Sequence, residues 1–131
     1  MESENIKKLK ELTPRLSEMV LKPGNPNKHI EYQVENGFCI GFPLYKNGDI
    51  AVQRAFLSKD AYFGEHIHEN EVEILTVYDG KLKGLINGQE EVLDVGDCIR
   101  IEKGVPHDWY AVENTWMIGM TIPASRSYPY A

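Results

Sequence analysis

Turn signals recur along this chain at intervals too short for helices. Asn47-Gly48, Asp79-Gly80, Asn87-Gly88 and Glu113-Asn114 separate short runs rich in Val, Ile, Tyr, Phe and Thr. Asn-Gly and Asp-Gly tolerate the positive φ that tight hairpins demand. Gly96-Asp97 and Lys103-Gly104 punctuate the remainder. Strands are predicted over 30–35, 38–45, 50–57, 72–78, 81–86, 91–95, 98–101, 107–112 and 115–122, with a further extended segment around His66. Many short strands at regular spacing argue for a sandwich or a closed barrel. With 131 residues the chain forms one domain and can bury a core without disulfides.

The start of the chain differs. Ile6, Leu9, Leu12, Leu16 and Met19 recur at helical spacing, and Thr13-Pro14 reads as an N-cap followed by proline at a first helical position. Residues 1–22 are expected to form a short helical segment, as two short helices or one kinked helix. A breaker-rich loop leads into the β domain of residues 30–123, and residues 124–131 form a tail.

Chemistry concentrates on one stretch. His66 and His68 are two apart, so on an extended segment they project from the same face. Glu73 follows a polar break and is expected on the antiparallel neighbour, within cross-strand reach. With His107 these make three imidazoles and a carboxylate, a nitrogen and oxygen donor set suited to iron, manganese, nickel, cobalt or zinc. The chain has four histidines. The other, His29, is expected to lie exposed in the loop.

These residues resemble a known family. His66-x-His68, Glu73 and Gly80 are similar to the first cupin motif from its paired histidines onward, and Gly96 through Gly104-Val105-Pro106-His107 is similar to the second. The likeness runs from about Ala51 to Ile122. Asp60 stands where the first motif usually begins with glycine, Glu102 where the second usually has proline, and Ala111 where it usually has asparagine. Those positions shape turns and strand ends. The resemblance implies an all-β fold, the cupin-type double-stranded β-helix or jelly-roll barrel. It further implies a divalent metal held by His66, His68, Glu73 and His107 at the bottom of the open end. Cupins include dioxygenases, decarboxylases, lyases and isomerases beside non-catalytic proteins, and fold alone does not choose among them.

Parity suggests a lining. If the histidines face inward, so do Tyr62 and Gly64, then Leu75 and Val77 after Glu73, and Trp109 after His107. On 50–57 the more apolar face is Ile50, Val52, Arg54 and Phe56. An inward Arg54 would clamp a substrate carboxylate or phosphate, and Tyr62 would supply a proton or a hydrogen bond. The expected function is a metalloenzyme acting on a small anionic, carboxylate-bearing molecule. The alternative is a metal-dependent small-molecule binding or sensing protein without turnover.

A formal charge of −6 argues against nucleic acid and against anionic membrane surfaces. No apolar run resembles a signal peptide or a membrane span, so a cytoplasmic protein is expected. Cys39 and Cys98 are expected as reduced strand residues. Exposed strand edges and the family likeness together suggest a homodimer, with the apolar face of 30–45 and the N-terminal helices as its surface.

Overall fold

The computed structural model describes residues 3–12 and 29–124. One helix, α1 (Glu4–Leu12), precedes nine strands: β1 (Ile30–Tyr32), β2 (Cys39–Lys46), β3 (Ala51–Leu57), β4 (Val72–Asp79), β5 (Leu82–Ile86), β6 (Gln89–Leu93), β7 (Cys98–Ile101), β8 (His107–Ala111) and β9 (Thr115–Ile122). Ser3 caps α1, its Oγ accepting from the Ile6 amide at 3.1 Å. The helical pattern beyond Thr13 and the C-terminal tail lie outside the described residues.

The strands make two antiparallel sheets, ordered β1-β2-β3-β9-β4-β7 and β6-β5-β8. The expected all-β jelly-roll architecture is present. Two of the expected turns, Asn47-Gly48 and Asn87-Gly88, join paired strands, whereas Asp79-Gly80 and Glu113-Asn114 carry the chain from one sheet to the other instead of closing hairpins. Asn87 and Gly88 both take positive φ (49° and 82°) between β5 and β6, as a mirror-image two-residue turn requires. Gly80 has a second reason to lack a side chain, because a Cβ there would collide with the Asn114 carbonyl.

Two apolar clusters hold these layers. Between the sheets pack Leu57, Val77, Leu82, Ile101, Ala111 and Met117. Outside the large sheet, Ile6 and Leu9 of α1 cover Phe38, Ile40, Phe42, Phe56 and Trp116. The face of Phe38, Ile40 and Phe42 that the sequence offered for self-association is therefore covered within the chain. Leu44 leaves that alternation: a β-bulge between Pro43 and Tyr45 shifts the register, and Leu44 is exposed.

Because α1 covers the outer face, β3 is buried on both sides, and apolar content does not identify the inward one. Ala51, Gln53, Ala55 and Leu57 face the second sheet, whereas Val52, Arg54 and Phe56 occupy the helix side. The expected parity of this strand is thus inverted. His29 also differs from expectation. It is half-buried, with Nε2 3.6 Å from a Glu31 carboxylate oxygen and its ring near Phe42.

Candidate metal centre

His66 and His68 are not on a regular strand. The segment touches the small sheet through bridges at Tyr62, opposite Tyr110, and at His66, where the His66 and His107 amides each donate to the other's carbonyl at 2.9 Å. Asp108 shapes the approach by accepting from the Phe63 and Gly64 amides at 3.2 and 2.8 Å. The Gly104 amide donates to the His68 carbonyl at 2.9 Å, tying the second glycine motif to the paired histidines. Glu73 belongs to the other sheet, on β4 between β9 and β7. It is not a ladder neighbour of the histidines. The cluster forms across the two sheets.

The donor atoms of His66, His68, Glu73 and His107 all lie within 4.8 Å of one another. Nδ1 of His66 is 2.9 Å from the Gly64 carbonyl, and Nδ1 of His107 is 2.9 Å from the Val105 carbonyl. A carbonyl can only accept, so each Nδ1 carries the proton and Nε2 is left for the centre. Nε2 of His68 and of His107 approach Glu73 Oε2 at 3.0 and 3.1 Å. Trp109 Nε1 donates to Glu73 Oε1 at 3.3 Å, so the carboxylate is oriented by a neighbour that the sequence placed in the lining without a polar role.

Burial alone would push the Glu73 carboxyl up, but with no metal bound, hydrogen bonds from Nε2 of His107 and His68, which a metal would displace, outweigh it and bring the pKa to about 2. Burial pulls His107 down, while the Glu73 and Val105 hydrogen bonds more than offset it and leave it raised. Burial dominates at His66, which is lowered despite its bond to Gly64. The donor set fits a divalent transition metal. Three nitrogens and one carboxylate oxygen converge, two imidazoles are locked in one tautomer, and metal–ligand bonds of about 2.0–2.2 Å accommodate such spacings.

The cluster opens into a cavity of about 370 Å³. Phe63, Leu75, Trp109 and Met117 give it apolar walls, Glu65 stands exposed in its lining, and Tyr32 and Gln53 add polar groups. The structure brings together the four expected ligands with Gly64, Leu75 and Trp109. It does not bring in the two other candidates. Arg54 lies on the opposite face of β3, paired in register with Phe42 and Ile118. Tyr62 stacks on Tyr110 (centroids 6.3 Å apart) and lines a separate shallow pocket with Lys83 and Asp108. Gln53 was missed for the reason Arg54 was chosen. Both are polar residues in an apolar strand, and only parity separates them.

A family model described as the cupin domain matches residues 55–122. Among solved structures, the chain is similar to KdgF from Halomonas sp., at 20% identity and TM-score 0.68, covering 77% of this chain and 92% of that one. An RmlC-like cupin from Shewanella frigidimarina NCIMB 400 matches at 18% identity and TM-score 0.68, with 79% and 91% covered. A predicted oxalate decarboxylase from Thermotoga maritima matches at 19% identity and TM-score 0.67, with 73% and 92% covered. No curated protein matches the chain. At these identities the structural likeness speaks for the fold alone. The family match, running from β3 to β9 across every segment that carries a candidate ligand, places the chain in the cupin family.

Proposed function

We propose that this cupin holds one divalent first-row transition metal through His66, His68, Glu73 and His107 and acts as a metalloenzyme on a small, apolar-bodied molecule with an oxygen donor. One observation carries the reading: the donor cluster sits at the wall of a half-open, mostly apolar cavity that can receive a small molecule beside it. When bound, such a metal polarises a substrate oxygen or activates water. The chain's own contributions are specific. Trp109 fixes the Glu73 carboxylate, the Gly64 and Val105 carbonyls fix two imidazoles, and Phe63, Leu75 and Met117 offer apolar surface to a bound molecule. Glu65, a carboxylate in the lining outside the donor set, can accept a proton from a substrate held there.

The lining contains no lysine or arginine among the described residues. A divalent ion with Glu65 and Glu73 sums to about neutrality, which favours a neutral or singly charged substrate, and a carboxylate-bearing one would meet no Arg54 guanidinium in this lining. Oxalate, named for the Thermotoga structure, is a dianion without an apolar body and matches these walls poorly.

Metal analysis of protein purified without an affinity tag tests the site. His107→Ala should lose most of its metal, and His29→Ala should keep it; equal occupancy in the two variants overturns the assignment. Turnover is tested by incubating metal-loaded protein with small hydroxy- and keto-compounds and following products by NMR and oxygen uptake. Ligand-induced thermal stabilisation with no product would replace the enzyme by a binding or sensing protein.

A further inference from the structure

Gln53 is the most deeply buried uncharged polar side chain of the cavity wall, at 2% exposure. The Tyr32 hydroxyl donates to its Oε1 at 2.9 Å. That bond occupies one pole of the amide and fixes its orientation. The other pole, Nε2 with two N–H donors, has no hydrogen-bond partner among the described residues, yet no buried side-chain nitrogen or oxygen is left unsatisfied. Nε2 must therefore touch accessible space, and the space that Gln53 lines is the cavity.

The backbone is arranged to permit this pair. Gly41 lies beside it on β2, and a Cβ there would collide with Gln53 Oε1 and stand 2.7 Å from Tyr32 Cε2. Gln53 and Leu75 flank Gly119 on one rung of the sheet, while Glu73 pairs with Thr121 two residues further along β9. One intervening strand separates β3 from β4 by about 10 Å, and two residues add about 7 Å along it. The amide and the metal donors thus stand at separated points of one cavity, with apolar wall between them.

We infer that Gln53 is a specificity-determining residue, and that the ligand of this cupin is bifunctional. One end is an oxygen donor for the metal; the other is a hydrogen-bond acceptor, a carbonyl or hydroxyl oxygen, received by Gln53 Nε2. This deepens the metalloenzyme reading and rests on it. A site built to donate such a bond also rejects analogues that lack the acceptor, because the donor would be left unpaired.

The test uses the full chain loaded with cobalt(II), whose visible spectrum reports ligands entering its coordination sphere. The compounds are hexanohydroxamate and its 4-oxo and 5-oxo derivatives, which share a chelating head and differ in one tail acceptor. An oxo derivative should bind about three- to tenfold more tightly than the parent, the worth of one neutral hydrogen bond. Gln53→Leu should abolish that preference and bind hexanohydroxamate at least as well. Tyr32→Phe keeps the amide but frees its orientation, and should weaken the preference even if the leucine variant folds poorly. Full cobalt uptake with no preference in the natural protein, or a preference that survives Gln53→Leu, overturns the inference alone. Failure to take up cobalt at all overturns the metal reading and the inference with it.

Discussion

Along β3 the two faces of the large sheet diverge residue by residue. Phe56 packs with Trp116 (centroids 5.2 Å apart) and Phe38 (5.7 Å) beneath α1. Gln53 and Ala55, on the other face, leave room for a cavity that ends in three histidines and a carboxylate. The outer face is filled by large rings, and the inner one is kept open by small residues and polar groups with assigned partners. In this barrel the most apolar face of a central strand is the structural one. Functional space requires side chains that do not fill it.

Breaking the outer face should be the most damaging change to stability. Phe56→Ala removes a fully buried ring from the aromatic cluster, at a cost of about 3–5 kcal/mol. Cobalt affinity of the molecules that remain folded should change less than about twofold, since no donor or donor support touches this cluster. Urea denaturation and a cobalt titration measure the two quantities. A large loss of affinity would show that the two faces are coupled.

The inner face should respond in the opposite sense. Trp109→Phe keeps most of the ring packing but deletes the N–H that holds Glu73 Oε1. Loss of such an outer partner typically costs about 10–100-fold in metal affinity, while the stability of the metal-free protein should fall by no more than about 1.5 kcal/mol. Unchanged affinity would show that His68 and His107 suffice to orient the carboxylate.

The strand and turn pattern was legible because hairpin chemistry is local: Asn87-Gly88 needs only its own two residues to specify a turn. The clustering of these four residues was legible because His66-x-His68, Glu73 and His107 carry a family spacing. The inward parity of β3 was not, since it depends on α1 covering the outer face, a contact no local window contains. The departure at Asp60 is instructive as well. The structure places Asp60 at φ 72°, a left-handed conformation that glycine adopts freely, and Tyr110 donates to its carboxylate at 2.9 Å. The turn geometry persists with a different residue.

Tyrosines on the two faces sharpen the comparison at alkaline pH. Burial raises Tyr78, beside Trp116 on the outer face, to about 12, with Arg54 pulling it partly back. Burial also raises Tyr32 on the inner face. A group raised in the folded state stabilises the fold fully below its unfolded value, 10.0 here, and loses that contribution as pH rises toward its folded value. Urea midpoints should therefore fall from about pH 10 upward. Tyr78→Phe should flatten part of that fall and leave cobalt affinity alone, whereas Tyr32→Phe should flatten it and also loosen ligand discrimination. Identical behaviour in the two variants would argue against separate faces.

The smallest expected effect belongs to Arg54, and it is the most discriminating because its neighbour is Gln53. The two residues are adjacent in sequence and on opposite faces of one strand. Arg54 sits in register with Phe42 and Ile118, half-buried, with its charge felt by Tyr78. Arg54→Gln removes that charge but keeps much of the stem that packs along the outer face. Stability should change by less than about 1 kcal/mol. Metal content and the preference for oxo-hydroxamates should match the natural protein, and Tyr78 should titrate still higher once the guanidinium no longer favours its phenolate. Gln53→Leu, one residue away, should abolish the ligand preference at similar stability. If Arg54→Gln instead weakens ligand binding tenfold at full metal occupancy, the guanidinium reaches the cavity in solution and the anion clamp read from the sequence is restored.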